Sequence, residues 1–309
     1  MSKFIILGVV LVGLAAAPLT GDTYLMRMAT LACMYAVMAA SWNLIGGLTG
    51  YPSFGTAAFF GLGAYTSGIL ATLDVALPIS IAVAGVVAFV VAAIIGFILL
   101  RLKGHYFAIA TLACVELLRE IANSATDLTG GGMGLNIPRN ADLGIFAEAS
   151  LFFFAMWGLL ALTALVCLMV ERSKIGFALA CIRQAEGAAE MIGVNSTLYK
   201  TLAFALSGVF VAMAGGVYAS WVHYIEPGDV FDILLTIKPV VMALIGGVGS
   251  TVGAIVGAIV YIAAEEVIWR NYLDFSSGII GLTVVGLVLF LPHGLGSLHL
   301  RLRGKAVTP

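Results

Sequence analysis

GGLTGYPSFGTAAFFGLGAY, residues 46–65, sets six glycines and a proline among aromatics in a chain that is otherwise overwhelmingly apolar. Glycine lets backbones approach closely and lets a segment leave helical geometry. At membrane depth such freed backbone is tolerated only inside protein or along a watered route. The reading of this stretch therefore depends on whether the chain lies in a bilayer, and composition answers that. Of the 309 residues 61% are hydrophobic and 10% charged, against about a quarter charged in ordinary soluble domains.

Working outward, apolar runs fall at about 4–20, 25–46, 54–73, 76–100, 105–122, 150–171, 199–221, 236–268 and 276–292, near the roughly 20 residues that cross hydrocarbon as helix. Alternating patterns of the barrel type are missing. The run at 236–268 exceeds one span and is interrupted by Gly246, Gly247, Gly249 and Ser250, so it reads as two segments folded back on each other. The expectation is an all-α polytopic membrane helix bundle of about ten segments, one transmembrane domain over residues 1–309. Lys3, the apolar run behind it and Ala15, Ala16 and Ala17 imitate a secretory signal, but Pro18 at the cleavage point argues for an uncleaved first span.

Lys3, Arg101, Lys103, Arg172, Lys174, Arg183, Lys200, Arg301, Arg303 and Lys305 fall on one face of this ten-segment arrangement, and Arg27 and Arg139 on the other. The positive-inside rule puts both termini in the cytoplasm. The connection at about 123–150, containing LTGGGMGLNIPRN, is then an outer loop without a strand pattern. The inner connection holds a helix from about 173 to 192, with Gly193 as its C′ residue. Its small residues Gly187, Ala188 and Ala189 suit insertion into a cytoplasmic partner's groove, although a solvated surface helix fits the pattern as well.

The net charge of −1 says nothing about nucleic acid, but no basic run that could track a phosphate backbone is present, so no nucleic-acid partner is expected. No P-loop, nucleophile elbow or H-E-x-x-H stretch is present, so no catalytic residue is assigned. The four cysteines and four histidines show no metal-ligand spacing; His105, His223, His293 and His299 read as interfacial or solvent residues. Glu116, with Arg119 one turn on, reads as an intramembrane ion pair held within the bundle. Glu265 and Glu266 read as snorkelling to the interface. Gly61, Gly63, Gly253 and Gly257 are assigned to helix packing. The breaks at Gly50, Tyr51, Ser53, Phe54 and Gly55 and at Gly246, Gly247, Gly249 and Ser250 are assigned to the translocation pathway. The two breaks echo one another, as broken segments do in transporters built from related halves.

WNLIGGLTGYPSFGTAAFFGLGAY resembles the signature of permease subunits of bacterial ABC importers for branched-chain amino acids, fitting at Asn43, Leu44, Gly50, Ser53, Gly55, Phe59, Gly61, Gly63, Ala64 and Tyr65. TLACVELLR, TGGGMGL with Ile137 and Pro138, IRQAEGAAEMIGVN and the residues after it, ALIGGVGSTVGAIVGA and PHGL follow in the family's order. The TGG loop resembles the M-type permease rather than its H-type partner, and Thr56 stands where the family often has His. The resemblance adds Asn43 to the pathway set. It implies an inner-membrane complex with a second, H-type permease, two cytoplasmic ATPase subunits carrying ATP and Mg, and an extracytoplasmic substrate-binding protein. This chain then binds no cofactor itself. Arg183, Glu186, Ala188, Ala189 and Gly193 resemble the element that couples such a permease to its ATPase. A permease for urea, short amides or sugars, an ion-coupled secondary carrier and a structural membrane subunit stay open beside that reading.

Overall fold

The structure, a computed structural model, describes residues 2–139 and 144–271. In chain order the helices are α1 (Ser2–Ala15), α2 (Thr23–Trp42), α3 (Thr56–Thr72), α4 (Leu77–Leu99), α5 (His105–Ser124), α6 (Thr126–Thr129), α7 (Ile145–Arg172), α8 (Lys174–Gln184), α9 (Glu186–Met191), α10 (Ser196–Val222), α11 (Pro227–Val230), α12 (Leu234–Gly246) and α13 (Thr251–Asn271). A π-helical turn, Asn43–Gly47, continues α2. Five helical stretches among the described residues are long and apolar enough to cross a membrane, including Thr23–Gly47, Leu77–Leu99 and Ser196–Val222. The protein is a multi-pass membrane helix bundle. The expected last span at 276–292, the PHGL stretch and the basic tail lie outside the described residues.

Burial orders the bundle. The most apolar window of α2 is 83% buried and that of α4 28%, so α2 is the central post and α4 a peripheral helix showing Val86, Phe89, Val90 and Ile94 outward. Lipid supplies no hydrophobic drive between helices, so close packing must hold them, and small residues provide it. A methyl group at Gly63 on α3 would stand 2.0 Å from the Ala212 carbonyl of α10, and one at Gly215 2.1 Å from the Phe60 carbonyl.

The long apolar run is a hairpin of α12 and α13, as its interruption predicts. A methyl group at Gly246 would stand 1.8 Å from the Gly253 carbonyl, and one at Gly257 2.1 Å from that of Met242. Gly61, Gly63, Gly253 and Gly257 therefore do the packing assigned to them.

Two local expectations change. The glycine-rich loop carries a two-residue strand, β1 (Leu135–Asn136), paired antiparallel with β2 (Tyr224–Ile225). Ile137 N–H extends that ribbon by donating to the His223 carbonyl (2.8 Å); a strand this short leaves no alternation in sequence. The helix expected at 173–192 is two, because Ala185 is extended (φ −160°, ψ 100°). Ser173 caps α8 through the N–H groups of Ile175 and Gly176, and Gly193 closes α9 at φ +90°.

Candidate functional site

Both glycine-rich breaks lie at the end of the bundle that carries α8 and α9. Their backbone groups find protein partners there. Trp42 Nε1 donates to the Ser53 carbonyl (2.8 Å), Phe54 N–H to Thr111 Oγ1 (2.9 Å) and Ala57 N–H to Thr236 Oγ1 (3.0 Å). In the second break Gly249 N–H donates to Asn43 Oδ1 (2.8 Å) and Thr251 N–H to Glu171 Oε1 (2.6 Å). Side chains from α2, α5, α7 and α12 and the turn that follows α2 thus supply bonds where the glycines interrupt the helical ladder.

Of the residues assigned to the pathway, Asn43, Tyr51, Ser53, Gly55 and Gly246 are buried within the chain. Phe54, Gly247, Gly249 and Ser250 are half-buried, and Gly50 is exposed. The echo between the breaks has a spatial counterpart, since Asn43 of the first holds Gly249 of the second. Gly249 sits at φ +87°, where an L side chain is strained, and a methyl group there would also lie 3.0 Å from Arg183 Nη1.

The α8–α9 element grips these breaks. Arg183 Nη1 donates to the Gly47 carbonyl (2.7 Å). Glu186 turns inward at the Ala185 bend, and Lys200 of α10 reaches it at 2.6 Å; their side chains are 16% and 2% exposed. Tyr51 donates its hydroxyl to the other Glu186 oxygen. Lys200 Nζ also reaches the Leu100 carbonyl (3.2 Å) and stands 4.4 Å above the Tyr51 ring. Burial works against the Glu186 charge, but the bonds from Lys200 and Tyr51 outweigh it and hold the carboxyl below the usual carboxylate range.

The coupling residues divide by direction. Ala189 is 2% exposed, its side chain packed against this chain rather than outward. Glu186 is likewise engaged inward. Ala188 and Gly193 are exposed, beside Met191 (89%) and Ile192 (70%). The outward side of α9 thus mixes the exposed Glu190 with Ala188 and Met191, and Ile192 follows just past its end.

The other charges redistribute as well. Glu116 and Arg119 form their i,i+3 pair at 3.4 Å, but with 64% and 43% exposure they lie on the outside of this chain rather than within its bundle. Geometry explains this: α5 turns Phe107, Thr111 and Val115 inward, and Glu116, Leu117 and Glu120 are on the opposite face. Glu265 meets Lys238 of α12 at 2.8 Å, and Glu266 accepts from Tyr24. At the other end His223 Nε2 lies 2.7 Å from Glu148 Oε1, and Arg139 pairs with the same carboxylate. A cavity of about 430 Å³ beside them is lined by Arg27, Tyr218 and Trp221.

Sequence reasoning missed Lys200, Lys238, Thr111 and Thr236. A lone lysine in each of the apolar runs TLYKTLAF and LLTIKPVV is the signal that could have marked the first two, because an intramembrane charge needs a partner.

Residues 24–291 match the family described as branched-chain amino acid transport system, permease component. Among curated relatives, the high-affinity branched-chain amino acid transport system permease protein LivM of Escherichia coli (strain K12) is 27% identical over 294 residues, 87% of this chain and 69% of the relative. The Salmonella typhimurium protein of the same name is 26% identical over the same shares. The autoinducer 2 import system permease protein LsrC of Yersinia enterocolitica is 28% identical over 195 residues, 59% of this chain and 51% of the relative. No solved structure matches the chain. With a match that runs from the start of α2 past the end of the described residues, the chain belongs to the permease-component family of branched-chain amino acid transport systems.

Proposed function

We propose that the chain is one of two permease subunits of an ATP-driven importer, moving branched-chain or related small amino acids into the cytoplasm by alternating access. The family match over residues 24–291 carries this reading, and LivM relatives in two organisms supply the substrate class. The chain has no nucleotide-binding stretch, so hydrolysis of ATP with Mg belongs to two separate ATPase subunits, and an extracytoplasmic binding protein delivers the substrate.

The cluster of Arg101, Lys103, Arg172, Lys174 and Arg183 at the α8–α9 end supports a cytoplasmic place for that end by the positive-inside rule, and an arrangement of ten membrane segments would put both termini there. Ala188, Met191 and Ile192 are the residues offered to the ATPase. The exposed Glu116 and Glu120 of α5 are costly against lipid. A second, H-type permease facing α5, with a watered route between the two chains, accommodates them. The half-buried break residues Phe54, Gly247 and Ser250 lie toward the inner end of that route.

A second reading rests on the LsrC relatives, whose name specifies autoinducer 2 import; the solute is then a different small polar molecule and the machinery is the same. The test is co-expression of the chain with candidate ATPase, permease and binding-protein partners, followed by uptake in proteoliposomes. ATP-dependent accumulation of labelled leucine, isoleucine or valine is expected. Purification without an ATPase, or uptake driven by an ion gradient alone, would overturn the proposal.

A further inference from the structure

Lys200 lies nine residues beyond the end of α9, inside a membrane helix, and is among the largest fully buried side chains of the described residues. An ammonium in such a place needs close compensation. It receives it from three directions: the Glu186 carboxylate of α9, the hydroxyl and ring face of Tyr51, and the Leu100 carbonyl that ends α4. Neither Glu186 nor Tyr51 belongs to the helix that carries Lys200, so the three join α9, the first glycine break and α10 at one point.

The contacts run on from there. The Tyr51 ring packs edge-on against Phe107 of α5 (5.8 Å between centroids), and Phe107 packs against Phe204 of α10 (5.9 Å). Phe107 is on the inner side of the helix whose outer side carries Glu116 and Glu120. A contiguous path of side chains, Glu186 to Tyr51 to Phe107, therefore connects α9 to α5.

We propose that Lys200, Glu186 and Tyr51 form a joint that transmits displacement of α9 through the first glycine break to α5, with Lys200 as its positioning residue. This rests on the importer reading, in which an ATPase moves α9. A joint of this kind has to be stiff where α9 meets the break and needs no contact with substrate. The buried, multiply bonded pair answers the first condition, and the path reaches α5 through Phe107 on its inner side rather than through the exposed Glu116 and Glu120.

Two variants test it: Lys200→Met, which removes the charge, and Tyr51→Phe, which removes one hydroxyl and keeps the ring packing. Hydrogen exchange on the purified full chain reads the joint without any ATPase. Exchange is expected to accelerate together at residues 186–191 and 47–55 in both variants. In proteoliposomes holding the whole complex, ATP hydrolysed per amino acid imported is expected to rise about five-fold or more, the lower end of typical coupling between sites. Faster exchange confined to 186–191, or an unchanged ratio in Tyr51→Phe with only lowered thermal stability in Lys200→Met, would overturn the joint. A wild-type complex that imports nothing with ATP, while its exchange shows the joint intact, would overturn the importer reading instead.

Discussion

The Glu116–Arg119 pair of α5 and the Glu186–Lys200 pair between α9 and α10 are the same chemistry in opposite settings. The first is local, 3.4 Å apart and exposed on both sides. The second spans 14 residues, is 2.6 Å apart and is almost closed to solvent. Helical spacing finds the first because i,i+3 neighbours share a face whatever the fold does. It cannot find the second, which exists only because Ala185 bends the chain and α10 returns beside it. Sequence spacing thus identifies charges that pair within one helix, and tertiary packing decides which distant charges meet and are buried.

The comparison breaks most visibly if Lys200 is replaced. Removing one partner of a buried pair leaves an uncompensated charge and costs about 3–5 kcal/mol. Lys200→Met should lower the unfolding temperature in detergent sharply, and adding Glu186→Met should recover much of the loss. A double variant as unstable as the single one would mean that the pair is not what Lys200 contributes.

Acid probes the same pair more gently. The folded pKa of Glu186 lies below its unfolded value, so its contribution is complete above the ordinary carboxylate range and is lost as pH falls through the depressed folded value. Thermal stability followed downward from neutral pH should therefore hold above the ordinary carboxylate range, begin to fall as pH enters that range, and go on falling until pH passes below the depressed folded value. In Glu186→Gln that step should shrink. An undiminished step would assign the acid sensitivity to another carboxylate.

The smallest effect belongs to α5. Exposed pairs contribute about 0–1 kcal/mol and weaken with salt, so Arg119→Met should leave the unfolding temperature of the isolated chain nearly unchanged. A loss approaching that of Lys200→Met would show that the α5 pair is buried after all and that the contrast between the two is false.

Much of this architecture was legible because bilayer physics is strict. Apolar run length marked the crossing helices, and the interruption at Gly246, Gly247 and Gly249 marked the α12–α13 hairpin. Gly61, Gly63, Gly253 and Gly257 proved to be packing residues because a missing side chain in lipid leaves few other uses. Irregular backbone in a membrane needs partners, and sequence could not show that Thr111, Thr236 and Asn43 supply them from distant segments. The inward turn of Ala189 was hidden for a similar reason: in a run of small residues, nothing local distinguishes the buried alanine from the exposed one.

The central claim is that α9 is latched inward through Glu186 and offers its other face to an ATPase. Cysteine crosslinking in the assembled complex tests this directly, with Cys181 replaced and single cysteines placed at Met191 and at Ala189. Met191→Cys should crosslink to the ATPase subunit and Ala189→Cys should not. Crosslinking from Ala189→Cys with none from Met191→Cys would contradict the account.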